Sequence, residues 1–333
     1  MKHPRASDCL SADPQALATE LAPVVRDACR GRLGAIQWFR STWQKGGAAT
    51  GMSTWTFDDG KSMDVLVKLP VGYTEHFWST RLGSWTPESD HLCASTPRIV
   101  AAGDKLGNYD LAWLVIERLR GGTLGSDLAM EQVTALLEAA CEFHRRASDI
   151  KPVTEADRPE PPDWVKLLDR AREAVRDNHI EHEQRWAEGL RKVHRGLGDL
   201  IDRWRRRPIC TWCHGDLHPG NAMHRGPERG QGAVVLIDLA LVHAGHWVED
   251  AVYLERQYWG HEQMLHGVKP VSAMARIRRQ HGLKTGDEYT ELANIRRLMM
   301  ASCAPAFLGR EGNPLYLETA LRLVETLGHQ VLR

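Results

Sequence analysis

The chain has 333 residues, enough for about two domains at roughly 150 residues each. Hydrophobic residues make up 42% and charged residues 26%, and the 43 basic and 43 acidic side chains cancel, so no global field draws the molecule to nucleic acid or an anionic membrane. No apolar run reaches the roughly 18 residues that cross a bilayer, the N-terminus lacks the apolar stretch of a secretory signal, and seven scattered cysteines suit reduced thiols in a cytoplasm.

Residues 14–30 place Leu17, Leu21, Val24 and Val25 at helical intervals, with Asp13 and Pro14 as N-cap and first turn. Residues 33–43 and 52–57 read as extended. The turn Asp58-Asp59-Gly60 then leads into the apolar strand 63–69, a strong hairpin signal. A helix over 73–84 and strands near 98–102 and 111–118 complete a mostly β region. After residues 117–123 the chain changes character. From Ser126, a plausible N-cap, residues 127–147 put Val133, Leu136, Leu137, Ala140 and Phe143 on one helical face. Charged helices follow at about 163–178 and 181–205, then a β-like stretch over 208–241, then mostly helix over 248–333. This predicts a small β-rich lobe with an N-terminal helix over 1–119 and a larger helical lobe over 120–333. A Gly-Gly hinge near residue 120 and a cleft would separate them. Packing accounts for most of the twelve tryptophans.

The densest chemical signal is Cys213-His-Gly-Asp-Leu-His-Pro-Gly-Asn-Ala222. An aspartate followed five residues later by asparagine, on a tight Gly/Pro loop, suits phosphoryl transfer: Asp216 can orient a substrate hydroxyl while the Asn221 amide oxygen coordinates Mg2+. Asp238 ends the apolar run 234–237, well placed as a second oxygen ligand for a hard cation. Lys68, on an apolar strand of the first lobe, can pair with nucleotide phosphates. His214 and His218 read as scaffolding of the loop.

The motif over 214–221, followed by Ile237-Asp238, resembles the aminoglycoside phosphotransferase and choline kinase-like family of small-molecule kinases. Residues 97–103, residues 114–124, Phe143-His144, Gly245 and Asp250 extend the resemblance over about residues 33–255. The resemblance implies an α+β, bilobal protein-kinase-like fold using ATP, with GTP an alternative, and Mg2+. It implies Asp216 as the catalytic aspartate, Asn221 and Asp238 as metal ligands, and Lys68 on the α/β-phosphates. Backbone groups of Glu117 to Leu119 would hold adenine. The glycine-rich stretch 44–51, with Gly46 and Gly47, would cover the phosphates. Glu75 or Glu88 would pair with Lys68, and Glu75 is favoured because it falls within a predicted helix. Where the family often has Gly-Asp-Pro after the metal aspartate, this chain has Gly245-His246-Trp247, which leaves Asp250 as a structural carboxylate bracing the catalytic loop.

Three other patterns carry less. Gly60-Lys-Ser62 has the ending of a phosphate loop, but Trp55 stands where that loop needs glycine. Cys210-Thr-Trp-Cys213 has the spacing of zinc or redox sites but no second pair, and reads as two small core side chains on the strand entering the catalytic loop. Residues 203–207, Arg203-Trp-Arg-Arg-Arg207, end a predicted helix and read as its solvated, dipole-matched terminus rather than a nucleic-acid contact.

The expected activity is ATP- and Mg2+-dependent phosphorylation of a hydroxyl on a small molecule, with neither nucleic acid nor membrane as partner; the sequence says nothing of oligomeric state. A catalytically silent nucleotide-binding regulator is the alternative, opposed by the presence of Lys68, Asp216, Asn221 and Asp238 together. Residues 251–333 carry eleven basic and eight acidic side chains, which leans against a strongly cationic acceptor. Trp247, Glu249, Tyr253, Tyr258 and Trp259 follow the metal strand and could line an acceptor site, although core packing accounts for most of them.

Overall fold

The computed structural model describes residues 14–39, 48–84, 95–125, 128–226, 228 and 230–332. Asp13, Gly46, Gly47, Glu88 and Ser126 lie outside the described residues. The chain divides into two compact units, residues 1–122 with 223–241, and residues 123–222 with 242–333.

The first unit begins with helix α1 (Pro14–Ala28) and continues with strands β1 (Gln37–Phe39), β2 (Ala49–Thr56) and β3 (Ser62–Val71). Helix α2 (Tyr73–Leu82) and strands β4 (Ile99–Gly103) and β5 (Ala112–Glu117) follow. The five strands form one antiparallel sheet in the order β1-β2-β3-β5-β4. The Asp-Gly hairpin closes as its sequence demands. Gly60 takes φ +81°, its N–H donates to the Phe57 carbonyl at 3.0 Å, and Ser62 pairs with Thr56.

Strand alternation decides where the chemistry goes. Val65, Val67 and Leu69 share one face of β3 and are fully buried in a core with Ala18, Leu21 and Val25 of α1 and with Trp55 and Trp113. Each such aliphatic side chain contributes about 1.5–3 kcal/mol when taken from water. Because successive side chains point to opposite faces, Lys68 is fixed on the other side of the sheet.

The second unit opens with α3 (Met130–Ile150), α4 (Trp164–Asp177) and α5 (Glu183–Arg205). Strand β6 (Thr211–Cys213) then enters the loop that carries Asp216. Strand β7 (Ala222–His224) leaves it, pairs with β8 (Val234–Leu236), and begins the return to the first unit. Strand β9 (His243–Gly245) pairs antiparallel with β6. Helices α6 (Val248–Arg256), α7 (Pro270–Gln280), α8 (Tyr289–Cys303), α9 (Leu308–Glu311) and α10 (Pro314–Val331) complete the unit. Helix α3 buries Val133, Leu136, Leu137, Ala140, Phe143 and His144 on one face, against α7 and β6. Among the described residues nine tryptophans are buried, which answers their abundance with packing.

Two local expectations are corrected. Strand β6 starts at Thr211, so Cys210 stands before it and is exposed, whereas Cys213 is fully buried. The basic run at the end of α5 is not a uniformly solvated terminus. Arg207 turns inward, 7% exposed, and donates through Nε to Glu249 at 2.9 Å, while Trp204 is buried beneath its guanidinium. Among the described residues, no helix is long and apolar enough to cross a membrane.

Candidate active site

In the first unit, Lys68 and Glu75 form an ion pair between the sheet and α2. Glu75 lies in the first turn of α2 and is buried, so its charge meets both the lysine and the positive end of that helix. Asp238, just past β8, takes the left-handed φ of +61°, which aspartate tolerates better than most residues. Its Oδ1 comes to 4.0 Å from Lys68 Nζ, and the side chain stays 46% exposed. Lys68, Glu75 and Asp238 are thus brought together by alternation along β3, the start of α2 and the end of β8.

Glu117 ends β5 with its carboxylate buried, accepting from the Arg98 N–H at 2.9 Å and from the Arg225 guanidinium. The Glu117 N–H goes to the Arg98 carbonyl at 2.9 Å and the Arg118 N–H to the Asp64 carbonyl at 3.0 Å. Among the described residues the Leu119 N–H makes no hydrogen bond to another backbone group.

In the second unit, Asp216 stands on the loop between β6 and β7, half-enclosed. Asn221 donates through Nδ2 to the Asp216 carbonyl at 3.1 Å and to its Oδ2 at 2.8 Å. His218 accepts from the Gly220 N–H at Nδ1, 3.0 Å away, so its proton sits on Nε2, 3.6 Å from Asp216 Oδ2. The Tyr253 hydroxyl of α6 donates to Asp216 Oδ1 at 2.5 Å. The His218 contact, with the Tyr253 hydroxyl and the Asn221 amide, holds the Asp216 carboxyl well below the usual carboxylate range, against burial that pushes it up.

Beneath the loop, fully buried Asp250 accepts from the His214 N–H at 2.8 Å and the Gly215 N–H at 2.9 Å. Gly215 has φ +83°, a conformation glycine adopts without the clash a side chain would bring. Asp250 Oδ2 also lies 2.9 Å from His144 Nε2. Arg278 of α7 donates to His144 Nδ1 at 3.0 Å, which makes that nitrogen the acceptor and puts the ring proton on Nε2, facing Asp250. Burial pushes the His144 imidazole down and keeps it neutral, although its contact with Asp250 pulls the other way.

Tyr253 at Asp216, and Arg278 behind His144, have no local sequence signal as site residues. Tyr253 is only one of five candidate residues, Trp247, Glu249, Tyr253, Tyr258 and Trp259, that follow β8. Arg278 meets His144 across 134 positions of sequence.

Cys213, His243 and Glu249 bring possible ligand atoms within 4.8 Å of one another. A cation there would compete with Arg207, which already holds Glu249. Burial raises the Cys213 thiol well above its ordinary range, so the thiolate a metal needs is disfavoured.

A family profile described as the phosphotransferase enzyme family matches residues 87–288, well over half of the chain and including the whole Asp216 loop. The chain belongs to that family. Solved structures agree with the fold. A provisionally assigned aminoglycoside phosphotransferase from Ralstonia eutropha JMP134 superposes with a TM-score of 0.56 at 12% identity, over 93% of this chain and 97% of its own. An amicoumacin kinase in complex with AMP-PNP, Ca2+ and Ami gives 0.53 at 14% identity, over 98% and 96%. An aminoglycoside phosphotransferase from Alicyclobacillus acidocaldarius gives 0.52 at 14% identity, over 89% and 90%. No curated protein matches this chain in sequence. The fold of this phosphotransferase is therefore α+β and protein-kinase-like.

Proposed function

We propose that this phosphotransferase is an ATP- and Mg2+-dependent kinase that phosphorylates a hydroxyl of a small molecule. The observation that carries the reading is Asp216. Its carboxylate is kept ionised by Tyr253, Asn221 and His218 on a loop whose backbone is tied to buried Asp250. Such a group orients an acceptor hydroxyl and takes its proton late; with proton affinity held low, orientation outweighs basicity.

Bound MgATP would supply the transferable phosphoryl group and neutralise charge on it. The residues present fit such a ligand. Lys68, steadied by Glu75, is a cation for phosphate oxygens. The Leu119 N–H, with the backbone at Glu117, is suited to an adenine edge, and Gly46 and Gly47 remain proposed for the phosphates. Asp238 offers a half-exposed carboxylate, and Asn221, with its amide N–H groups turned to Asp216, keeps Oδ1 for a hard cation.

Similarity to kinases named for aminoglycosides and amicoumacin supports a small hydroxylated acceptor. The basic excess in residues 251–333 favours sugars, amino alcohols or other metabolites over strong polycations. The free thiols Cys29, Cys141, Cys210, Cys213 and Cys303 suit a reducing cytoplasm. A screen of hydroxylated metabolites and antibiotics for acceptor-dependent ADP or GDP release tests the reading. Nucleotide binding without transfer to any acceptor would favour a silent regulator instead.

A further inference from the structure

We propose that Tyr253 is a stand-in for the acceptor: its phenol occupies the Asp216 oxygen that an acceptor hydroxyl must reach, and shields it from water until an acceptor displaces it. This inference rests on the kinase reading above.

The two carboxylate oxygens of Asp216 are differently committed. Oδ2 faces Asn221 at 2.8 Å and His218 at 3.6 Å, both on the same loop, and these contacts set the carboxylate plane. Oδ1 faces the Tyr253 hydroxyl at 2.5 Å. An acceptor hydroxyl approaching Asp216 has to donate to that carboxylate, which is the bond the phenol already makes. A hydroxyl bonded to an ionised carboxylate is held more firmly than one bonded to a neutral oxygen.

The phenol is placed by a rigid support. Tyr253 follows Asp250 by three residues on α6, so one helix fixes the back of the loop and reaches its reactive carboxylate. The Arg256 guanidinium lies 5.2 Å from the Tyr253 ring centroid and steadies the ring. An acceptor can therefore take Oδ1 by swinging one side chain aside, with no change in the helix.

Water is a small hydroxyl donor at high concentration. If it reached Asp216 beside a bound nucleotide, it would take the phosphoryl group, lose its proton to Asp216, and leave ADP and phosphate. The phenol removes that opportunity and lowers the apparent acceptor affinity, because only the displaced fraction is competent.

The test uses Tyr253→Phe, which keeps the ring and its packing, in the full chain, with MgATP and water as the only acceptor. We expect kcat for ATP hydrolysis to rise about tenfold, the size of one hydrogen bond to a charged group, with KM for MgATP unchanged. Unchanged hydrolysis, or hydrolysis lowered at constant KM, would overturn the inference. A parent that fails to bind MgATP contradicts the kinase reading and this inference together; binding with unchanged hydrolysis in Tyr253→Phe contradicts the inference alone.

Discussion

His144 Nε2 stands 2.9 Å from Asp250 Oδ2, with both side chains fully enclosed. The same carboxylate accepts two backbone N–H groups of the loop that carries Asp216, one buried at His214 and one half-buried at Gly215. Asp250→Asn keeps the shape but turns an amide N–H toward one of those donors. We expect a stability loss of about 1.5–3 kcal/mol and a fall in kcat of about tenfold or more, with nucleotide affinity retained. Urea midpoints and nucleotide titrations of the variant check this.

Lys68 and Glu75 give a second expectation. Lys68→Met removes the cation proposed for the phosphates and strands a buried carboxylate, so kcat/KM for MgATP should drop at least about 10²-fold and the melting temperature should fall. Glu75→Gln removes the carboxylate charge that directs Lys68 but leaves the lysine in place, and should cost about tenfold. Equal nucleotide affinity in parent and Lys68→Met would contradict the assignment.

His246 makes stability depend on pH. Burial, with the charges of Arg278 and Arg207, pushes its imidazole down to about 4, against an upward pull from Glu249. Its Nδ1 accepts from the Val248 N–H at the start of α6, at 3.3 Å, a bond that protonation destroys. A histidine depressed on folding contributes in full above its unfolded pKa of about 6.5, and that contribution is lost as pH falls toward about 4. On the order of 3 kcal/mol is at stake. The urea midpoint should therefore fall between pH 7.5 and 5, and that of His246→Asn, which takes up no proton there and can still accept from the Val248 N–H, should fall less.

The two cysteines of the pair should separate. Cys213 is fully buried with its thiol 3.4 Å from the His246 carbonyl, and Cys213→Ala should cost about 1–2 kcal/mol. Cys210→Ala, at an exposed position, should stay within about 0.5 kcal/mol. Metal analysis should find no stoichiometric zinc; zinc lost together with activity in Cys213→Ala would contradict packing.

Much of the site is legible in the sequence because it is built from local patterns. Period-two alternation exposes Lys68 as the odd residue among Val65, Val67 and Leu69. Glu75 falls in the helix begun by the next turn, and Asp216 and Asn221 share one short loop. What is hidden depends on packing across the chain. Nothing near Tyr253 says that its face of α6 meets Asp216, and nothing near Arg278 announces His144. Arg207 reads as a solvated helix end because the buried Glu249 that turns it inward is 42 residues away. The three-residue strands β6 and β9 are too short to show a period, which is why Cys210 is misplaced by sequence. The return of residues 223–241 to the first unit has no signal in a reading taken in chain order.

The central claim is that the Asp216 carboxylate orients the acceptor and leaves nucleotide binding to other groups. The most direct measurement compares the parent with Asp216→Asn, following phosphoryl transfer from MgATP to an acceptor found by screening and MgATP affinity by calorimetry in the same samples. We expect transfer to fall at least about 10²-fold while nucleotide affinity stays within about threefold. Transfer by Asp216→Asn within about threefold of the parent would contradict the account.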